Sequence, residues 1–379
     1  VRAMRLFALA SALCWCVVQT AAAQADDPWL LVGTTSTVSD AWMKPTASEL
    51  RTELLHRGVE VWSVQSAGAR FAEEGSAPPS VLTDAEIEAW AEQSRAGLWH
   101  LAMGESQSAL EELNQAQELA RQAIDALNRD DERTQKVLDT CLYTLRALIE
   151  TGFGSETEAL GPQCRQLVPR GEPSPNMHPA FVLETLSKAD GARADRPASL
   201  NVESDPSGCA VRVNGMRFGE TPLQVGGLLP ARYRVQVECD PDRPGRIHVA
   251  DASAGSAEVF VDARFDRSVE TQPLLHLRYP DAVEERQQRV ADAERIVKTV
   301  PAGALLLMST PTPRALELEL LGGEPLQQKA LTRVATGALG PSRGDVALAA
   351  RALVDGTCID FTGTPPVPLP GDVAGQAPA

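Results

Sequence analysis

Between Ala198 and Asp262 apolar and polar residues alternate in short runs broken by turn signals, the pattern of a small antiparallel sandwich. Leu200 and Val202 alternate with Asn201 and Glu203, and Asp205-Pro206-Ser207-Gly208 then turns the chain. Cys209, Val211 and Val213 share one face while Arg212 takes the other. Asn214-Gly215 is a two-residue hairpin signal, because both residues tolerate positive φ. In the next long strand Tyr233, Val235, Val237 and Cys239 point one way, and Arg232, Arg234, Gln236 and Glu238 the other.

Upstream the period changes from two to that of a helix. Thr83-Asp84-Ala85-Glu86 reads as a capping box opening a helix to about Met103. Gly104 turns the chain, a second helix is expected from Ser108 to Asn128, and a third from Asp131 to Thr151 is stopped by Gly152. Shorter helices follow over Glu156 to Leu167 and Ala180 to Lys188, separated by an extended, proline-rich crossing from Pro169 to Pro179. The series Leu98, Leu101, Gly104, Ala109, Leu113 and Ala116 resembles one tetratricopeptide repeat, whose small residues let paired helices approach. The next glycine-closed helix comes later than the regular period of about 34 residues. A repeat-like layer over 83–190 and a generic helical bundle both fit.

At the chain ends the pattern is that of an α/β sheet. Trp29 to Gly33 reads as a buried strand, a helix with Leu50, Leu54 and Leu55 ends at Gly58, and Val59 to Val64 reads as another strand. Gly68 to Ser80 reads as a linker. Far downstream, strands are expected at Leu274 to Tyr279, Ala304 to Met308 and Ala315 to Leu321. A charged helix spans Asp281 to Val300 with Val283, Val290, Ile296 and Val297 inward, and Val346 to Leu353 is helical. Neither end has a complete sheet alone, so residues 28–66 and 281–360 are expected to form one small α/β domain. Its element order is similar to the domain near the start of the periplasmic protein TolB. The expected fold class is therefore α+β: a β-sandwich, a helical layer and a split α/β domain.

The sandwich resembles a PEGA domain, a module of bacterial and archaeal envelope proteins. The likeness rests on Ser204 to Cys209, on Val211 to Gly215, on Gly219-Glu220-Thr221-Pro222-Leu223, and on Leu229 to Val235. Ala231 stands where the family usually has glycine. Asp240 to Gly245 replaces the usual glycine–aromatic pair, and the module is expected to run over 198–279. The resemblance implies an envelope interaction or spacer domain and no catalytic residues.

Arg2 and Arg5, an apolar run from Leu6 to Val18 and Ala21-Ala22-Ala23-Gln24-Ala25 describe a secretory signal over 1–25, with cleavage after Ala23 or Ala25. A periplasmic or extracellular protein without a transmembrane anchor after cleavage is expected. The net charge of −16 disfavours nucleic acid and anionic lipid as partners. The Pro-, Gly- and Ala-rich stretch 361–379 reads as a disordered tail.

Of the seven cysteines Cys14 and Cys16 lie in the leader. Cys209 and Cys239 fall on the apolar faces of their strands, so a disulfide across the sandwich core is expected in an oxidising compartment. Cys141 and Cys164 each lie on a helical apolar face, and a second bridge would pin those helices together. Cys358 is left over as a buried free thiol.

His56, His100, His178, His248 and His276 show no zinc spacing, and G-x-S-x-G, Walker A and dinucleotide patterns are absent. Glu73-Glu74, Asp130-Asp131-Glu132 and Glu284-Glu285 read as solvated faces and caps. No cofactor and no enzymatic activity are expected. Five tryptophans crowd the first hundred residues, and Trp42 and Trp62 are candidates for stacking on peptidoglycan or another glycan. The other reading places them in the sheet–helix core. Function is thus expected to be docking to an envelope protein, or alternatively glycan binding.

Overall fold

The computed structural model describes residues 27–36, 42–174, 176–312 and 314–360. The leader over 1–25 and the tail over 361–379 lie outside them. The fold is mixed α/β, with eleven helices among the described residues and three sheets, none closed. The chain divides into two compact units, 1–71 with 268–379, and 72–267.

The first unit holds a seven-stranded mixed sheet. Its spatial order is Val269–Glu270, His276–Arg278, Leu30–Thr35, Leu305–Thr312, Ala315–Gly322, Gln327–Ala335 and Ile359–Asp360. Leu30–Thr35 runs parallel to both of its neighbours, with Leu30 opposite Leu305 and Gly33 opposite His276. Apolar residues of Met43–His56 and Arg343–Val354 cover one face, where Leu50, Leu54, Val346 and Leu353 pack on Leu31, Leu306, Leu316 and Leu318. The other face carries polar groups among apolar ones where Ala282–Thr299 meets it, since Ala293 and Ile296 are buried beside Glu285 and Asp292. Thr34 donates to Glu285 at 2.8 Å, Tyr279 donates to Asp292 at 3.1 Å, and Arg289 pairs with Glu319 at 2.9 Å. This corrects two expectations. Glu285 is buried, not a solvated cap, while Val283 is exposed. The sheet beneath presents hydroxyls and charges, so the helix turns its carboxylates inward and its valine out.

Two further expectations are corrected nearby. The stretch expected as a strand reduces to one parallel bridge, Trp29 with Val61, and a helix, Val64–Glu74, replaces the first half of the expected linker. Gly68 is not there for flexibility. A Cβ on it would lie 2.1 Å from the Thr271 carbonyl oxygen, so glycine permits that close approach. The second half, Ser76–Ala77, pairs with Ile247–Asp251.

The second unit opens with helices Asp84–Ala102, Ser106–Gln122, Ile124–Leu127, Asp131–Thr151, Gly154–Leu167 and Ala180–Asp195. Thr83 accepts from the Glu86 amide and the Glu86 carboxylate accepts from the Thr83 amide, a complete capping box. Gly97 packs directly on Leu113, since a Cβ there would lie 2.4 Å from the leucine Cγ. Seven strands follow: Ala198–Asp205, Ala210–Val213, Met216–Glu220, Leu223–Leu228, Arg232–Glu238, Ile247–Asp251 and Ser256–Asp262. They form a three-stranded sheet and, with Ser76–Ala77, a five-stranded one. The expected all-antiparallel pattern is corrected at one pair. Ala198–Asp205 and Ser256–Asp262 run parallel, Val202 opposite Val259, because the chain crosses between the sheets before returning.

Candidate functional site

Alternation in the seven strands sends one set of side chains into a shared apolar cluster. Leu200, Val202, Val225, Val259 and Val261 from the three-stranded sheet meet Val211, Val213, Tyr233, Val235 and Val237 from the five-stranded one. Cys209 and Cys239 form a disulfide beside it, with Cα atoms 4.4 Å apart. Tyr233 donates its hydroxyl to the Leu229 carbonyl oxygen at 2.8 Å, and burial pushes the phenol up to about 12. The Asn214-Gly215 turn has both residues at positive φ, 48° and 85°, as the hairpin requires.

Part of the opposite set, Arg212, Arg234, Gln236 and Glu238, does not face water, while Arg232 and Glu203 stay exposed. Arg129, following the Ile124–Leu127 helix, donates to Gln236 at 2.8 Å and pairs with Glu238, which Arg212 also reaches at 2.9 Å. Burial raises the Glu238 carboxyl, but hydrogen bonds from both arginines outweigh it and hold the group below the usual range. Arg234 pairs with buried Asp125 at 3.3 Å. Asn214 donates to the Gln166 carbonyl oxygen at 2.7 Å, and Gln166 donates back to that of Arg232 at 2.9 Å. Arg234, Gln236 and Glu238, with Asn214, are therefore a polar seam that mounts these strands on the helices. Cys141–Cys164, with Cα atoms 5.7 Å apart, ties two of those helices together.

A cleft of 240 Å³ opens between helix Ala180–Asp195 and the strands. Helix Ala180–Asp195 contributes Asp190 and Arg193, the preceding loop contributes Arg170, and the strands contribute Phe218 and Gly226-Gly227. The Arg170 guanidinium lies 3.8 Å above the Phe218 ring centroid. Arg193 donates to the Pro169 carbonyl oxygen at 3.1 Å. Nothing in the alternation pattern marked this place, because its residues come from three separated segments.

The tryptophans chosen as candidates are half-buried. Trp42 precedes helix Met43–His56 and packs against its cluster, and Trp62 donates its indole N–H to the Pro301 carbonyl oxygen at 3.1 Å. The indole most open to solvent among the described residues is Trp99, 57 % exposed, another of the five tryptophans in the first hundred residues. Three histidines are held by carboxylates: His178 by Asp139 at 2.8 Å, His248 by Asp266 at 2.7 Å and His100 by Glu105 at 2.7 Å. Cys358, expected as a buried free thiol, is half-buried and disulfide-bonded.

No helix among the described residues is long and apolar enough to cross a membrane. Comparison with curated proteins and with solved structures yields no match. Residues 198–240, from the first of the seven strands to just past Cys239, match the PEGA domain family.

Proposed function

We propose that this chain is an exported, non-catalytic docking protein of the bacterial envelope. The observation that carries the reading is the PEGA-matching strand set, stapled by Cys209–Cys239 and fastened to a helical layer through Arg129, Arg234 and Asn214. Disulfides belong to oxidising compartments, which supports export to the periplasm or beyond. The helical layer, read as repeat-like because of close approaches such as Gly97 on Leu113, is the recruiting surface for a protein partner. The split mixed sheet remains, as part of this proposal, similar to the TolB domain, supported by Leu30–Thr35 seated between His276–Arg278 and Leu305–Thr312. The test is site-specific cross-linking in intact cells, with photoreactive residues at Met103 on the helices and at Val249 on the strands. A single envelope protein captured from the helical position supports docking, and capture from neither position removes it.

A second reading, glycan binding, has one observation in its favour: the open indole of Trp99. Peptidoglycan pull-down separates the two. Retention that is lost in Trp99→Ala, or in Trp42→Ala or Trp62→Ala, favours glycan.

A further inference from the structure

We propose that the 240 Å³ cleft between helix Ala180–Asp195 and the PEGA-matching strands binds a peptide through a carboxylate group. This inference rests on the docking reading and names the chemistry that docking would use. The first argument is charge. The whole chain carries −16, yet the two arginines that line this cleft face one carboxylate, Asp190. That carboxylate is already engaged by buried Arg165, which donates to both of its oxygens at 2.8 and 2.9 Å. Arg193 reaches Asp190 only at 3.4 Å. Arg170 makes no ion pair among the described residues, and its exposed guanidinium is oriented by the Phe218 ring beneath it. A planar guanidinium fixed on an aromatic face keeps its N–H edge for an anion, and a carboxylate matches that edge in two parallel hydrogen bonds.

The second argument is shape. The cleft is smaller than the roughly 300–1,000 Å³ typical of sites for drug-sized ligands, so it suits one residue of a longer chain. Pro169, Pro197, Ala194 and Leu228 supply an apolar lining for an aliphatic side chain. The face of Phe218 that a sugar would stack on is covered by Arg170, which disfavours a glycan here. Strand Leu223–Leu228 bulges beside the cleft, where Gly226 and Gly227 together oppose Ser199. A bulge leaves backbone polar groups outside the ladder, available to another main chain. A Cβ on Gly226 would meet nothing within 4 Å, so the space in front of it is open.

The experiment uses the full chain and three probes: acetyl-trialanine with a free carboxylate, the same peptide amidated, and glucuronate. Ligand-observed NMR titration to about 10 mM detects the weak affinity a single residue provides. The expected result is saturable binding of the free acid and about tenfold weaker binding of the amide. Arg170→Glu and Gly226→Trp, which reverse the charge or fill the space at exposed positions, should each weaken the acid about tenfold while leaving the melting temperature unchanged. Equal binding of acid and amide, insensitivity to both substitutions, or no binding at all overturns the proposal. Preference for glucuronate overturns it in favour of an acidic glycan. Either outcome leaves the cross-linking test of docking standing, and failure of cross-linking leaves this titration standing.

Discussion

Glu317 and Arg333 lie directly opposite each other on neighbouring antiparallel strands, their ion pair closed at 2.6 Å and both side chains buried. Arg289 and Glu319 complete a four-residue patch of balanced charge under helix Ala282–Thr299. Removing one member strands another charge in the interior. Glu317→Leu is therefore expected to lower stability by about 3–5 kcal/mol, while Glu317→Leu with Arg333→Leu together should fall within about 1–2 kcal/mol of wild type. Denaturant unfolding of the single and double variants checks this. A single variant as stable as the double would remove the argument.

Reduction tests the staples of the second unit. Cys209–Cys239 closes a separation of 30 residues and Cys141–Cys164 one of 23. On the chain-entropy estimate each contributes about 3.5 kcal/mol. Cys209→Ala with Cys239→Ala should lower the melting transition of the PEGA-matching unit, followed by the tyrosine signal of Tyr233. An unchanged transition would show that the packed valines suffice alone.

Acid should weaken the first unit through His276. This side chain is packed beside Gly33 and Met43 with its Nε2 buried and unpartnered, and burial lowers its pKa to about 4. The unfolded chain then binds a proton that the folded chain refuses between roughly pH 6.5 and pH 4, so the full contribution is present above about 6.5. It is lost progressively as pH falls to about 4, on the order of 3 kcal/mol. Glu319 acts in the opposite sense: burial raises its carboxyl, so its folded form accepts a proton more readily. His276→Leu should flatten the acid limb of the stability profile, and an unaltered slope between pH 6.5 and 4 would refute the assignment.

What could be read in the sequence follows from how local each signal is. Period-two alternation placed Tyr233, Val235 and Val237 inward, and a face shared with those residues placed the thiols of Cys209 and Cys239 together. The Thr83–Glu86 box and the Asn214-Gly215 turn are contained within a few residues, so they too were legible. Alternation says only that the second face is different, not what covers it. Arg234, Gln236 and Glu238 look solvent-facing until Asp125 and Arg129, a hundred residues away, are packed over them. Glu285 and Gly68 misled for the same reason: the partner of each, Thr34 or the Thr271 carbonyl, lies far away in the sequence. The arginine cleft draws on three segments, and no spacing rule joins Arg170 to Phe218.

The mounting of the strands on the helices can be measured through two glycines. Gly208 and Gly215 have nearly the same φ, 83° and 85°. A Cβ on Gly208 would meet nothing within 4 Å, whereas one on Gly215 would lie 2.7 Å from the Asp125 carbonyl oxygen and 3.0 Å from that of Ile124. Gly208→Ala should therefore lower stability only by the left-handed backbone strain, about 1–2 kcal/mol. Gly215→Ala adds a collision with helical backbone that can be relieved only by moving the hairpin off the helices, worth roughly a further 1–3 kcal/mol. Because the Asn214 and Arg234 bonds cross the same contact, that variant should also accelerate amide exchange in helix Ile124–Leu127. Equal losses for the two variants, with exchange in that helix untouched, would mean that the hairpin tip is not seated on the helical layer in solution.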